Sequence, residues 1–297
     1  MPRSPRPYLY FAAVVALWAA SPTLLNRLIA DGLSVLFILT AANTIAALVL
    51  LTLAALTGRL REIAGYPARD GAAVVGMGLI GVAGYLSFYY LAFAAAPDAP
   101  DEINVVNYLW PVFMVLLARP ILGERHSVSV WVGIGLSFVG TAGIVTRWEF
   151  RVPAPQHADG YALAAAGAVC WALFSNLGKR LPYDKLAGMA LYFTVGALVF
   201  HAAQLAVGVD RWPAPDGWLR LLFLGGAVNG LASFLWFKAL AGGPVAIFGN
   251  LIFLTPFLSL LYLRLFAGTP LRGGVWLSLA LIVLGALIGI NSLKRQP

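Results

Sequence analysis

A polar stripe in an otherwise apolar stretch contains the residues best suited to bind a ligand. In the run NVVNYLWPVFMVLLA the stripe residues are spaced i, i+3, i+4 and i+7, so a helix would place them on one face; they are Asn104, Asn107, Tyr108 and Pro111. Pro111 leaves a carbonyl of the preceding turn unbonded, which predicts a kink. A neutral polar stripe beside a kink favours the wall of a wet cavity. The alternative is that the asparagines bond a neighbouring helix.

Further candidates are aromatic and neutral polar residues at mid-depth of other apolar runs. Two tryptophans lie near the centres of their runs, although most membrane tryptophans lie at the interface. Two tyrosines spaced i, i+4 share one helix face, and two asparagines in later runs suit a ligand contact or a helix contact equally. Together these residues predict a pocket that stacks a flat apolar group and hydrogen-bonds a polar head. The candidate substrate-binding residues are Trp18, Tyr85, Tyr89, Asn107, Tyr108, Trp171, Asn229 and Asn250.

The groups needed for catalysis or for a proton relay are missing from the apolar runs. All twelve acidic residues lie outside these runs, and Glu102 is the nearest to one. His201, which lies near Gln204, is the only histidine within a run, and a lone histidine near an interface is more often structural. No Ser–His–Asp grouping, metal-ligand cluster or phosphate-binding loop accompanies it. We therefore expect no enzyme, no catalytic residue, no metal and no cofactor.

Composition indicates a polytopic membrane protein. Of the 297 residues, 61% are hydrophobic and only 11% are charged, whereas a soluble domain has about 25% charged residues. The net charge of +8 comes from basic residues scattered at the ends of the runs. Membrane orientation explains these residues better than binding to nucleic acid does. Cys170 is the single cysteine, so neither an internal disulfide nor a cysteine-based metal site is expected.

Ten uncharged runs are each long enough, with tilt or thinning, to cross a hydrocarbon layer of about 30 Å. They are Tyr8–Leu25, Leu33–Thr57, Gly71–Ala96, Ile103–Ala118, Val128–Thr146, Gly160–Gly178, Leu186–Val209, Leu221–Phe237, Ala239–Leu263 and Gly273–Leu293. The first run alone could pass for a signal peptide. A copy of the same segment later in the chain predicts a retained helix instead.

The two halves of the sequence repeat the same motifs in the same order. Leu17-Trp18-Ala19 matches Cys170-Trp171-Ala172, and Pro97 matches Pro244. Five spans per repeat is an odd number, so the second copy must be inverted in the membrane. The predicted fold is all-α, with ten transmembrane helices as two inverted five-helix repeats, 1–147 and 148–297. With the N-terminus inside, the 20 Lys and Arg residues divide 13 inside to 7 outside, which predicts cytoplasmic termini.

These features resemble the drug/metabolite transporter superfamily, EamA type. The resemblance rests on the five-plus-five repeat, the Trp18 and Trp171 pair, Leu122-Gly123-Glu124 after the fourth run, and glycines in the fifth and tenth runs. Asn107-Tyr108-Leu109-Trp110-Pro111 is similar to the YddG-type aromatic amino-acid exporters of bacterial inner membranes. One departure is that the second repeat has Ala267-Gly268-Thr269 at the position where Leu-Gly-Glu would be expected to recur.

The resemblance implies export of aromatic amino acids, with other neutral amino acids as further candidates, across the inner membrane by alternating access. Rings would stack on the tryptophans and tyrosines, while amides and freed carbonyls would bind the zwitterion. Without an intramembrane carboxylate, facilitated diffusion or exchange is favoured over proton antiport. The expected partners are a small-molecule substrate and the lipid bilayer, with no nucleic acid, and the protein is expected to be a monomer. An exporter of other metabolites or drugs is the alternative.

Overall fold

The structure, a computed structural model, describes residues 5–64, 66–209, 211–268, 270–271 and 273–293. This part of the chain is helical and contains no strand. Arg3, Asp210, Arg272, Lys294 and Arg295, which contributed to the charge analysis, lie outside the described residues.

The α-helices are α1 (Arg6–Ala19), α2 (Ser21–Ala30), α3 (Val35–Leu56), α4 (Leu60–Ala64), α5 (Ala68–Met77), α6 (Tyr85–Ala95), α7 (Pro100–Asn107), α8 (Trp110–Leu122), α9 (Val128–Thr146), α10 (Ala158–Arg180), α11 (Lys185–Val207), α12 (Pro215–Leu222), α13 (Ala232–Gly242), α14 (Val245–Leu251), α15 (Leu254–Ala267) and α16 (Gly274–Leu293). Two π-helical segments, Gly78–Gly84 and Phe223–Leu231, join α5 to α6 and α12 to α13. A short 3₁₀ turn, Pro155–His157, precedes α10.

These elements combine into ten apolar helical stretches, as the sequence predicts. Among the described residues, nine stretches are long and apolar enough to span a membrane, and Gly274–Ile290 is a shorter tenth. The predicted division between the eighth and ninth runs is wrong: the eighth stretch continues past Lys238 to Gly242, and the ninth begins at Val245. Lys238 is exposed and its ammonium lies over the Phe234 ring, 5.9 Å from the centroid. A long cationic side chain near a helix end can reach the membrane surface, so its charge does not end the span.

Several helices begin before the apolar runs begin, and this corrects the placement of the acidic residues. Five carboxylates lie in first helical turns of membrane-spanning stretches instead of outside them: Asp70, Asp101, Glu102, Asp159 and Asp216. A helix N-terminus carries a partial positive charge from its unbonded amide groups. Attraction to this partial charge explains these positions, so they do not by themselves indicate a proton path.

The chain divides into two compact units, and each unit takes helices from both halves of the sequence. The first unit comprises Met1–Leu86 and Leu181–Ala241. Its π-helical segments each contain a glycine that allows close backbone approach. A Cβ on Gly78 would lie 2.5 Å from the Val195 side chain, and one on Gly225 would lie 2.5 Å from the Ala42 carbonyl oxygen. The first π-helical segment therefore packs against α11 and the second against α3, in each case at a glycine where only a hydrogen atom fits.

The second unit comprises Ser87–Arg180 and Gly242–Pro297. In it, α9 and α16 pack through small residues: a Cβ on Gly133 would lie 2.4 Å from the Gly285 carbonyl, and one on Gly140 would lie 2.7 Å from the Ser278 carbonyl. The order of these contacts reverses along α16, so the helices are antiparallel. In the sequence, an offset of 145 residues relates Gly140 to Gly285 and also Gly133 to Ser278, so each contact maps onto the other. An inverted repeat predicts this self-matching pattern.

Trp148 contacts both α9 and α16 at one end of this helix pair. Arg147 and Trp148 have positive φ values of 55° and 64°, which non-glycine residues seldom adopt. The Trp148 indole N–H donates to the Gly274 carbonyl at 2.9 Å and to Ser278 Oγ at 3.1 Å. A Cβ on Gly143 would lie 2.5 Å from the indole ring. Buried contacts of the ring thus offset the strained turn.

Candidate substrate-binding site

In the first unit, Trp18 lies beside the second π-helical segment. Its indole N–H donates to the carbonyl of Val228 at 3.2 Å, and its ring packs against that of Trp236 with centroids 5.5 Å apart. Phe11 extends the aromatic cluster, 6.1 Å from Trp236. Trp236 is fully buried. The mid-span tryptophan therefore belongs to an aromatic cluster whose hydrogen bond fixes the ring orientation.

Asn229 follows Val228 directly, so the structure brings two of the predicted residues, Trp18 and Asn229, to the same segment. Asn229 is half-buried, and its side chain has no hydrogen-bond partner within the described chain. π-Helical turns are rare and occur frequently at functional sites. A half-buried amide without a partner, beside a fixed indole, suits a ligand contact.

In the second unit, the predicted kink before Pro111 is confirmed as a break between α7 and α8. The helix stops at Asn107, turns at Tyr108 and Leu109, and resumes at Trp110. Proline supplies no amide hydrogen, and its ring crowds the carbonyl four residues earlier. Because of the break, the stripe predicted on one continuous helix is divided between two shorter helices.

Two amide side chains of this stripe differ in their surroundings. Asn107 is buried, 5% exposed, and its Oδ1 has no hydrogen-bond partner among the described residues. Asn104 is half-buried, and its Oδ1 accepts a hydrogen bond from the Tyr89 hydroxyl at 2.6 Å. Tyr108 is half-buried at the break itself. Asn107 therefore has an oxygen that can accept a hydrogen bond from a ligand. Asn104 instead bonds a neighbouring helix, as the alternative interpretation predicts.

The second mid-span tryptophan lies in another aromatic cluster. Trp171 packs edge-on against Trp110, with ring centroids 6.3 Å apart, and contacts Phe174 at 5.4 Å. One turn further along α10, Asn176 is fully buried and donates to the carbonyls of Met114 and Ala172. Edge-to-face geometry is favourable for aromatic pairs. The cluster joins α8 to α10 with aromatic groups and a buried amide.

The remaining predicted residues have distinct environments. Tyr85 and Tyr89 both lie in α6, and Tyr89 also packs against Phe93 at 5.0 Å. Asn250 is fully buried: Ser137 Oγ donates to its Oδ1 at 3.2 Å, and a Cβ on Gly289 would lie 2.6 Å from its amide nitrogen. Asn250 therefore fills a groove of the α9–α16 pair, as expected of a helix contact.

Sequence reasoning missed several residues and features of these clusters. The sequence indicates Trp110 only as part of a motif, and the spacing of Trp110 and Trp171 does not predict the contact between their rings. Trp236 and Asn176 lie in predicted spans but were not singled out. The two π-helical segments were also missed, although their glycines at Gly78, Gly225 and Gly230 offered a weak signal.

Polar networks occupy the ends of the second unit. Lys179 donates to Glu124 and to the Gly243 carbonyl, both at 2.8 Å, and this ties the Leu-Gly-Glu motif to the ends of α10 and α13. Nearby, burial lowers the pKa of His126, while Glu124 raises it and Lys179 lowers it to smaller extents. Elsewhere in this unit, Tyr161 donates to Glu102. The described residues contain no group of histidine, cysteine or acidic side chains arranged to hold a metal.

The helical stretches define a multi-pass membrane protein of all-α architecture. The EamA-like transporter family matches residues 6–146 and again 158–290. The chain therefore belongs to this family of membrane transporters.

Individual relatives agree with that assignment. The aromatic amino acid exporter YddG of Ancylobacter novellus is 31% identical over 225 residues, which cover 73% of this chain and 76% of that protein. The exporter of the same name from Salmonella typhimurium is 22% identical over 214 residues, covering 69% and 72%. One crystal structure superimposes with a TM-score of 0.85 at 28% identity and covers 99% of this chain and 100% of that chain.

Proposed function

We propose that this protein transports aromatic amino acids, and other neutral amino acids less well, across the bacterial inner membrane by alternating access. Two relatives named as aromatic amino acid exporters support the substrate class. Transport without covalent chemistry suits a site built from aromatic rings and neutral amides. Both termini are cytoplasmic in this proposal, and the protein acts as a monomer.

The observation that carries the proposal is that the hydrogen bond from Trp18 to Val228 brings its indole to the segment of the first unit that contains Asn229. The indole ring is fixed by its bond to Val228, and the neighbouring amide is half-buried without a partner. A flat side chain can stack on or against the indole while the amide binds the polar part of the amino acid. An apolar group alone would leave the amide unsatisfied, which is unfavourable.

The second unit contains residues of similar chemistry. Trp171 and Trp110 supply aromatic surface, and Asn107 supplies a buried acceptor for an ammonium group. Tyr89 and Tyr108 provide further rings and hydroxyl groups in this unit, and Tyr85 provides them in the first unit. Asn250 acts indirectly in this proposal, because its packing fixes α14 against α9 and α16.

The zwitterion is bound without a buried counter-ion. Charged groups in the middle of a bilayer are expensive, whereas amides and helix-break carbonyls interact with both ends of a zwitterion at lower cost. A substrate of zero net charge also needs no compensating proton. Facilitated diffusion or exchange follows from this reasoning.

The test is counterflow of labelled amino acids into liposomes that contain the purified protein. Phenylalanine, tyrosine and tryptophan should exchange faster than glycine, and a nucleoside should not exchange. Trp171→Ala should lower phenylalanine flux by about 2- to 10-fold, because a lost ring contact is worth about 0.5–1.5 kcal/mol. Glycine flux should change little.

Trp276→Ala is the matched control, since Trp276 is 59% exposed on the last helix. It should behave as wild type. Equal losses of glycine and phenylalanine flux in Trp171→Ala, at wild-type protein levels, would make Trp171 a packing residue. Exchange of nucleosides or drugs in place of aromatic amino acids would replace the proposed substrate class with the alternative one.

A further inference from the structure

A separate pocket lies in the first unit, where α2 ends and α12 begins. It has a volume of about 140 Å³, and its polar and aromatic lining consists of Asp31, Arg211, Trp212 and Asp216. The two loops that form it follow the first and seventh spans. None of these residues belongs to the mid-span clusters described above.

The charges in this pocket are only partly compensated by the protein. Arg220 pairs with Oδ2 of Asp31 and with Oδ2 of Asp216, so each carboxylate keeps a second oxygen without a hydrogen bond within the described chain. Arg211 is exposed and has no ion pair within the described chain. Its guanidinium lies close to Gly32: a Cβ there would be 3.0 Å from a guanidinium nitrogen. The pocket therefore offers both a cation and carboxylate oxygens.

An aromatic wall adjoins these charges. Trp212 is 67% exposed, yet its ring is held edge-on by Phe37, with centroids 5.7 Å apart, and is packed against Trp218 at 6.3 Å. Phe37 is buried in the core of the unit. A ring that is positioned from one side and open on the other can stack on a ligand without reordering.

We propose that this pocket, named here the Trp212 pocket, binds the zwitterionic head of an amino acid at the membrane surface, with the side chain on Trp212. Arg211 binds the carboxylate in bidentate fashion, and the available oxygen of Asp31 or Asp216 accepts from the ammonium. A cavity of about 150 Å³ holds one benzene molecule, so the Trp212 pocket takes the head group while the aromatic ring lies at its mouth. The proposal rests on the proposed amino-acid substrate and adds an outer subsite to it.

A structural role for Arg211 predicts different behaviour. The guanidinium lies near the C-terminal end of α2, where a cation favourably meets the helix dipole. That role requires no ligand and no contribution from Trp212. A zwitterionic lipid head group also carries an anion beside an ammonium. The experiment must therefore distinguish binding of a membrane lipid from binding of a free amino acid.

The experiment measures chemical modification of Arg211 by phenylglyoxal in the full-length protein, followed by mass spectrometry of its peptides. The protein is held in nanodiscs of phosphatidylcholine, which has no primary ammonium. Phenylalanine at about four times its dissociation constant should slow labelling of Arg211 about fivefold by mass action. Phenethylamine lacks the carboxylate and should give no protection. Arg264, which is exposed and bonded to the Gly268 carbonyl, should label at one rate throughout.

Variants separate the contributions to this protection. Trp212→Ala should reduce protection by phenylalanine from about fivefold to between about 1.4- and 3-fold, because losing the ring contact weakens binding about 2- to 10-fold. Unliganded labelling should be unchanged in this variant, and Trp276→Ala should retain full protection. Labelling of Arg211 that phenylalanine does not slow would overturn the proposal. Protection that requires added phosphatidylethanolamine and ignores phenylalanine would also overturn it, in favour of a lipid site.

The outcomes for the two proposals are distinguishable. Protection of Arg211 without counterflow of any aromatic amino acid would contradict the proposed transport but support the pocket. Normal phenylalanine counterflow with unprotected Arg211 would contradict the pocket alone.

Discussion

At the scale of single residues, the surroundings of a buried polar atom without a partner distinguish a binding candidate from a packing residue. Asn107 Oδ1 and Asn250 Nδ2 are both buried without a hydrogen bond. An orphan of this kind costs about 1–3 kcal/mol. Asn250 offsets that cost through its close fit against α16, whereas Asn107 lies at a helix break. The break position makes Asn107 the better candidate for a ligand that enters from a wet cavity.

His126 provides a pH-dependent test of the structure at one end of the second unit. Burial lowers its pKa, so the folded protein favours the neutral ring more than the unfolded chain does. The unfolded chain binds a proton near pH 6.5, and the folded state resists it until lower pH. Stability is therefore present above about pH 6.5 and is lost as the pH falls below that value.

We expect the wild-type thermal unfolding midpoint to fall between about pH 7.5 and pH 5.5, and His126→Gln to reduce this fall. The measurement is thermal unfolding of purified protein in detergent. Arg125→Gln, next to His126 and exposed, should keep the wild-type pH dependence. An unchanged pH dependence in His126→Gln would show that other groups cause the acid instability.

At the scale of elements, the sequence predicted spans well and interruptions poorly. The apolar runs, which lack charged residues, predicted all ten stretches, and Pro111 predicted the break in one of them. The π-helical segments were not predictable from hydrophobicity, since Gly78–Gly84 and Phe223–Leu231 read as ordinary apolar helix. Their formation depends on close packing against α11 and α3, which spacing along the chain does not encode.

The candidate site was predicted in its residue types and only partly in its grouping. Trp18 and Asn229 are brought to one segment by the fold. Trp171 instead joins Trp110, and Asn250 joins the α9–α16 pair. Contacts between helices that are distant in sequence determine the surroundings of each residue. A mid-span position alone does not distinguish a ligand contact from a helix contact.

Two glycines of α9 test the packing of this helix against α16. In Gly133→Ala, the new Cβ would lie 2.4 Å from the Gly285 carbonyl oxygen. Backbone must shift to relieve that clash, so we expect a loss of about 1–3 kcal/mol and a lower thermal unfolding midpoint. Gly135→Ala is the matched control, because open space surrounds that position.

Alanine favours a helix over glycine by about 1 kcal/mol, so Gly135→Ala should be neutral or stabilising. A Gly133→Ala protein as stable as Gly135→Ala would contradict the close approach of α9 and α16. Comparing two neighbouring glycines removes differences in helix propensity and membrane depth.

At the scale of the whole molecule, sequence repeats and compact units divide the chain differently. The predicted repeats, 1–147 and 148–297, stay a prediction, and the two family matches fall one within each of them. The compact units instead combine pieces of both halves. An inverted pair that exchanges helices in this way gives each unit elements of both orientations.

The inversion predicts the position of every loop relative to the membrane. A reporter inserted within 58–69 should be cytoplasmic, and one inserted at Pro97-Asp98, between α6 and α7, should be periplasmic. Residues 97 and 98 are exposed, so the insertion should not disturb the core. Reporter activity in intact cells is the measurement, and a cytoplasmic signal at 97–98 would contradict the inverted arrangement.

The central claim is that the protein moves aromatic amino acids down their own gradient without proton coupling. The most direct test is counterflow of labelled phenylalanine into protein-containing liposomes, with and without a protonophore. We predict equal counterflow in both cases, because the described part of the chain places no carboxylate pair at mid-span to relay a proton and the substrate carries no net charge. Loss of counterflow with the protonophore, or uphill accumulation driven by an imposed pH gradient, would contradict the claim.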